Sequence, residues 1–250
     1  MNAHRPALGV AVLAAAALIV TAGWAPAAPR AEVEAPPPEL VEEGRRLYEA
    51  GCSTCHGVDG EGTSRGPSLQ RSGAAGAHFY LSTGRMPLDE PDVQATRKPP
   101  AYRPEEIAAL TAYVASLGDG PPIPDVDVAT GELSEGSQLY AVNCAGCHNS
   151  AGSGGALGQA VFAPGVRQAT PTQVAEAIRI GPGAMPVFGP DTLDDHQVAS
   201  IIRYLEFLQR ADDPGGAPLG RVGPVPEGLV AWLAGLGAML LAAFWIGTRE

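Results

Sequence analysis

The chain begins and ends on apolar runs and is amphipathic between them. Ala7 to Trp24 is almost purely apolar and follows a short basic patch, His4 and Arg5. Small residues and prolines come next, through Ala25-Pro26-Ala27-Ala28. Residues 1–28 therefore read as a secretory signal peptide with an A-x-A-like cleavage site or, because ~17 to 25 apolar residues span a bilayer, as an N-terminal anchor. Either reading implies export of the downstream residues. Residues 29–38, rich in Pro, Ala and Glu, read as a tether.

A helical pattern runs from Glu39 to about Ala50 with Leu40, Gly44, Leu47 and Tyr48 on it, and Gly57 to Gly76 reads as a Gly/Ser-rich loop. At Arg103-Pro104-Glu105-Glu106 a second helix opens, since Pro suits its first position and acids suit its positive end. Its apolar stripe is Ile107, Leu110, Tyr113, Val114 and Leu117, and Gly118 ends it. After a Pro-rich linker the order repeats. Gly44, Leu47, Tyr48, Cys52, Cys55 and His56 return as Gly136, Leu139, Tyr140, Cys144, Cys147 and His148, each 92 positions on. Ile201, Tyr204 and Leu205 echo Leu110, Tyr113 and Val114 in a closing helix expected from about Leu193 to Gln209, with Thr192 and Asp195 as its capping pair. Thr170-Pro171-Thr172-Gln173 opens a further helix that the pattern gives to the second unit alone.

Leu229 to Gly247 is nineteen residues without a charge, with Trp232 and Trp245 near its ends, as in a membrane-spanning helix. Ala231, Gly235, Ala238 and Ala242 give it a small-residue face, which predicts a partner membrane subunit. The expected architecture is all-α, with two copies of one domain (39–118 and 134–209), linkers at 119–133 and 210–228, a transmembrane helix at 229–247 and a cytoplasmic tail at 248–250.

Composition narrows the chemistry. The 32 glycines and 24 prolines among 250 residues predict long loops, and aromatics are only 6%. A bound macrocycle would supply apolar core that such a chain lacks. The net charge of −11 opposes binding to nucleic acid or to anionic lipid surfaces.

All four cysteines lie in two C-x-x-C-H runs, Cys52-Ser53-Thr54-Cys55-His56 and Cys144-Ala145-Gly146-Cys147-His148. This spacing attaches haem through two thioethers and puts the adjacent His on the iron. The expected cofactors are two covalently bound haem c groups, held by Cys52, Cys55, Cys144 and Cys147, with His56 and His148 as axial ligands. A zinc ribbon is opposed by the adjacent His in both copies and the wide gap between them. For the far axial position, Met86 and Met185 follow their motif histidines in similar Gly/Pro phrases, Thr83-Gly84-Arg85-Met86-Pro87 and Gly183-Ala184-Met185-Pro186. A closed, six-coordinate iron suits electron transfer rather than substrate chemistry. His78, as a surface residue or a contact of a haem carboxylate, and His196, in a solvent-exposed first turn, are set aside as ligands. Pro67 and Pro164 offer carbonyls for the proximal His ring protons.

Gly44-x-x-x-Tyr48 before the motif, with Leu110-x-x-Tyr113 in the closing helix, resembles the helix crossing of class I cytochromes c, and Gly136/Tyr140 with Ile201/Tyr204 repeats it. Over residues 39–247 the chain resembles the dihaem cytochrome c subunit of the actinobacterial quinol–cytochrome c reductase, the cytochrome bc1 complex. The phrases Gly66-Pro67-Ser68-Leu69, Ser82-Thr83-Gly84-Arg85-Met86-Pro87, Gly154-Gly155-Ala156-Leu157 and Met185-Pro186-Val187-Phe188 carry the likeness. The resemblance implies cytochrome b and Rieske iron–sulfur subunits as partners, an aa3-type cytochrome c oxidase as electron acceptor, and haem domains outside the plasma membrane. The alternative class is a dihaem electron-accepting subunit of a periplasmic-side dehydrogenase.

Overall fold

The computed structural model describes residues 35–91, 93–158, 160–210 and 224–249. The expected signal peptide or anchor lies outside them, as do most of the tether and most of the second linker.

The first copy is built on the crossing of α1 (Pro38–Gly51) with α4 (Pro104–Ser116). Gly44 makes the crossing possible. A Cβ there would lie 1.9 Å from the Ala109 carbonyl oxygen and 2.8 Å from the Tyr113 Cβ. The aromatics pack across the gap, with Tyr48 and Tyr113 ring centroids 5.1 Å apart. Tyr48 is fully buried, and Leu110, Ile107 and Val114 fill the space beside it. The one-turn helix α2 (Ser53–His56) carries the rest of the first haem motif.

The second copy repeats the frame with α5 (Leu133–Asn143) crossing α8 (Asp195–Gln209). A Cβ on Gly136 would lie 1.9 Å from the Ser200 carbonyl oxygen, and Tyr140 meets Tyr204 at 5.5 Å between centroids. Tyr140, Val198, Ile201, Ile202 and Leu205 form its core. The short α6 (Ala145–His148) holds the second motif.

Three local expectations are corrected. Residues 57–76 do not form one continuous loop, because α3 (Gly73–Ser82) starts within them. Its Gly/Ala-rich opening has almost no amphipathic signal, yet Ala75, Ala77, Phe79 and Leu81 are all buried. The helix α7 (Pro171–Ile180) is therefore not an addition to the second copy, since α3 stands in the same place before Met86 as α7 does before Met185. Finally, α8 is capped by Asp194, which accepts from the Gln197 amide at 2.8 Å, rather than by Thr192. The α7 cap is formed as expected, with reciprocal Thr170–Gln173 bonds of 3.3 Å.

One element was not expected. A short antiparallel hairpin, β1 (Gly155–Gly158) with β2 (Val161–Ala163), follows the second motif. The last helix, α9 (Pro224–Gly247), begins five residues before the charge-free run, within what reads as linker. Residues 225–247 have a mean hydropathy of 2.2 and none of the apolar window is buried against the other described residues, which makes this a candidate membrane span.

Candidate haem sites

Each motif is placed by the crossing behind it. The Cys52 amide bonds to the Tyr48 carbonyl at 2.8 Å, and the Cys144 amide to that of Tyr140 at 2.9 Å. The same two tyrosines fix the far side of the motif. Tyr48 donates to the Gly57 carbonyl at 2.7 Å, and Tyr140 to the Asn149 carbonyl at 2.8 Å. Gly57 and Asn149, which follow the motif histidines, both have positive φ, 84° and 66°. A left-handed residue here turns the chain sharply after the His, and Gly or Asn tolerates it best.

The ring of His56 is buried, with Nδ1 2.8 Å from the Pro67 carbonyl oxygen, and His148 Nδ1 lies 2.8 Å from that of Pro164. A carbonyl only accepts, so Nδ1 carries the proton and Nε2 keeps its lone pair for a metal. Gly66 lets the returning loop close over this ring, since a Cβ there would lie 3.1 Å from His56 Cε1 and 2.8 Å from the Cys55 oxygen. The spacing of eleven residues in one copy and sixteen in the other, where the β1–β2 hairpin intervenes, reaches the same contact.

The methionines approach the same cores. Met86 and Cys52 both pack on the Tyr48–Leu110–Tyr113 cluster, and Met185 and Cys144 both pack on the Tyr140–Ile201–Leu205 cluster. Their loops are pinned by backbone bonds. The Met86 amide reaches the Tyr80 carbonyl at 3.1 Å, and Gly84, at φ 64°, leaves room for the Lys98 carbonyl. In the second copy Gly181 is the left-handed cap of α7, and the Phe188 amide returns to the Ile178 carbonyl at 2.9 Å.

The donor set suits haem c. None of the four cysteines is paired in a disulfide, which leaves both sulfurs of each motif for thioether links. Zinc would need convergent thiolates, and among the described residues no three His, Cys, Asp or Glu side chains converge on a metal-sized space. Arg85, next to Met86, is buried over the Phe79 ring with its Nη1 unpartnered among the described residues, a donor suited to a carboxylate of the macrocycle. The set-aside histidines resolve differently. His196 is half exposed and pairs with Glu135 at 3.2 Å. His78 keeps part of its side chain in solvent, and its Nδ1 lies 2.6 Å from Glu176 of the second copy. Nothing in a linear reading joins residues 98 positions apart.

Comparison with known proteins agrees with this geometry. The family model "Cytochrome c" matches residues 41–118, and "Cytochrome C oxidase, cbb3-type, subunit III" matches residues 131–205. The chain is 39% identical over 220 residues to the cytochrome bc1 complex cytochrome c subunit of Mycobacterium tuberculosis, covering 84% of this chain and 79% of that one. It is 37% identical over 229 residues to the same subunit of Corynebacterium diphtheriae, covering 84% and 82%. A cbb3-type cytochrome c oxidase subunit of Azospirillum is 27% identical over 187 residues, covering 66% and 61%. The chain belongs to the family of cytochrome bc1 complex cytochrome c subunits, with two cytochrome c domains that each bind haem c covalently.

Proposed function

We propose that the chain is a membrane-anchored electron wire, passing single electrons from the Rieske centre of a menaquinol–cytochrome c reductase through its two haem domains to an aa3-type oxidase. When bound, each haem c supplies a one-electron iron couple. The chain's own residues attach, orient and close it. Cys52 and Cys55, and Cys144 and Cys147, fix each macrocycle covalently. The Pro67 and Pro164 carbonyls hold the His56 and His148 rings with Nε2 free to bind iron. Met86 and Met185 would be the second iron ligands, and a thioether there would favour the ferrous state and raise the potential.

The observation that carries this reading is the shared environment of each methionine and its motif cysteine, on one core in both copies. An iron ligated from both sides would have no open position for a substrate. Cytochrome b and Rieske subunits are the proposed partners in the membrane, reached through α9, with the haem domains on the extracytoplasmic side. The name shared by the relatives supports the assembly. Purification in mild detergent followed by identification of subunits tests it. Recovery of cytochrome b, Rieske and oxidase polypeptides is the expected result, and recovery of a dehydrogenase in their place would overturn it.

A further inference from the structure

The two haem domains meet along α3 and α7, and the seam is polar. Gln173 Nε2 donates to Ser82 Oγ at 3.2 Å, and Arg97 reaches Gln173 Oε1 at 2.5 Å. The Gln94 amide pairs with the Phe162 backbone in both directions, at 2.6 and 3.0 Å. In the middle lies an ionisable pair, with His78 Nδ1 2.6 Å from Glu176 Oε1. The Glu176 side chain has no exposed surface, and its Oε2 has no partner among the described residues. His78 keeps 29% of its side chain in solvent, an exchange path for protons.

We propose that Glu176 and His78 form a proton-binding site buried between the two haem domains, which takes up a proton when a neighbouring haem is reduced and releases it on reoxidation. The balance is simple. A one-electron donor adds one negative charge to an iron centre, solvent supplies one proton through His78, and both leave when the next acceptor takes the electron. A deprotonated pair is a buried anion with one oxygen unsatisfied, which favours ferric iron. A singly protonated pair is neutral and removes that bias.

Other ionisable groups stand on the elements packed around the pair. On α7, Arg179 is held by Asp195 of α8 at 2.6 Å. On α8, His196 faces Glu135, Arg203 bonds the Gly131 carbonyl, and Glu206 lies in the last turn. Tyr80 of α3 is raised by burial and stays uncharged. In the adjoining loop Arg97 is on Gln173 and Arg85 on Phe79, while Glu105 and Glu106 of α4 are both bound by Arg103. The Glu176 contact raises His78, and burial raises Glu176, so both shifts make the pair hold its proton more tightly.

The test is a redox titration of the full-length dihaem protein in detergent at several pH values, for wild type and for the E176Q/H78N double variant, which keeps an amide pair but no titratable group. From about pH 6 to about pH 9 the wild-type reduction equilibrium constant of at least one haem should fall at least ~threefold. That is ~28 mV on the one-electron scale of ~59 mV per tenfold. The double variant should lose this dependence. A flat wild-type profile, or an equal slope in the variant, would overturn the proposal. If the variant does not fold, reduced-minus-oxidised infrared spectra of the wild type and of E176Q alone decide the matter. A carboxyl band that changes on reduction in the wild type and is missing from E176Q supports the site, and identical difference bands in the two refute it.

Discussion

Adding one methyl group at Gly44 tests the frame on which both haem sites rest. In Gly44→Ala the new Cβ starts 1.9 Å from the Ala109 carbonyl oxygen and must retreat by about 1.1 Å to reach 3.0 Å, below which real Cβ contacts essentially never occur. The obstacle is the backbone of α4, with the Tyr113 Cβ close behind at 2.8 Å, so no side-chain rotation relieves it. Overpacking costs ~1 to 3 kcal/mol, and a backbone clash belongs near ~3 kcal/mol. Ala gains ~1 kcal/mol over Gly in a helix interior, which leaves a net loss of ~2 kcal/mol. For a domain of this size that lowers the midpoint by ~8 to 16 °C. Thermal unfolding of the full-length protein, followed by circular dichroism and by haem absorption, measures it. Gly136→Ala should match, since its Cβ would start 1.9 Å from the Ser200 carbonyl oxygen. Gly51→Ala is the control, because its Cβ would meet only the hydroxyl end of Tyr102. The crossing does not need a glycine if Gly44→Ala unfolds within ~0.5 kcal/mol of wild type or no lower than the control.

Other consequences are open to direct measurement. Replacing Met86 or Met185 with Ala should abolish the weak sulfur–iron absorption band of that haem and lower its potential, and an unchanged spectrum removes that residue as a ligand. Tyr48→Phe leaves the buried Gly57 carbonyl without its 2.7 Å donor and should cost ~1.5 kcal/mol in denaturant unfolding, while a cost near zero would show that the bond carries no net stability. His78 and Glu176 both have raised folded-state values, so their contribution to stability is fully present below the unfolded values and is lost as pH rises through the folded ones. Stability should therefore decline as pH rises above about 4.5, where Glu176 ionises in the unfolded chain, and further above about 6.5, where His78 does, with a shallower decline in the E176Q/H78N variant, and unfolding midpoints across that range check it.

The parts that were legible in the sequence are those that repeat or that obey local rules. Gly44 and Tyr48 announce the crossing because a Gly and an aromatic one turn apart recur 92 positions on before an identical motif. The Thr170 cap is readable because the N-cap and third positions carry their own chemistry. By contrast, α3 is hidden because Gly73, Ala75 and Gly76 are small residues whose burial leaves no periodic signal. Thr192 and Asp194 are both able caps two residues apart, and only the backbone course selects Asp194. The hairpin after the second motif is nearly all Gly, Ala and single apolar residues, with no alternation to mark it. The His78–Glu176 contact depends on how two domains dock, which neither copy specifies alone.

That seam also records what duplication inside one chain permits. The α3 and α7 helices are the same element in the two copies, and His78 and Glu176, 98 positions apart, stand at nearly matching places in them, as Met86 and Met185 do at 99. Two identical subunits meeting through this helix would present the same side chain from both sides, base to base or acid to acid. Joined as paralogues in one polypeptide, the halves were free to diverge, one keeping the base and the other the acid. The docking surface is thereby complementary, and its two sides are always made together.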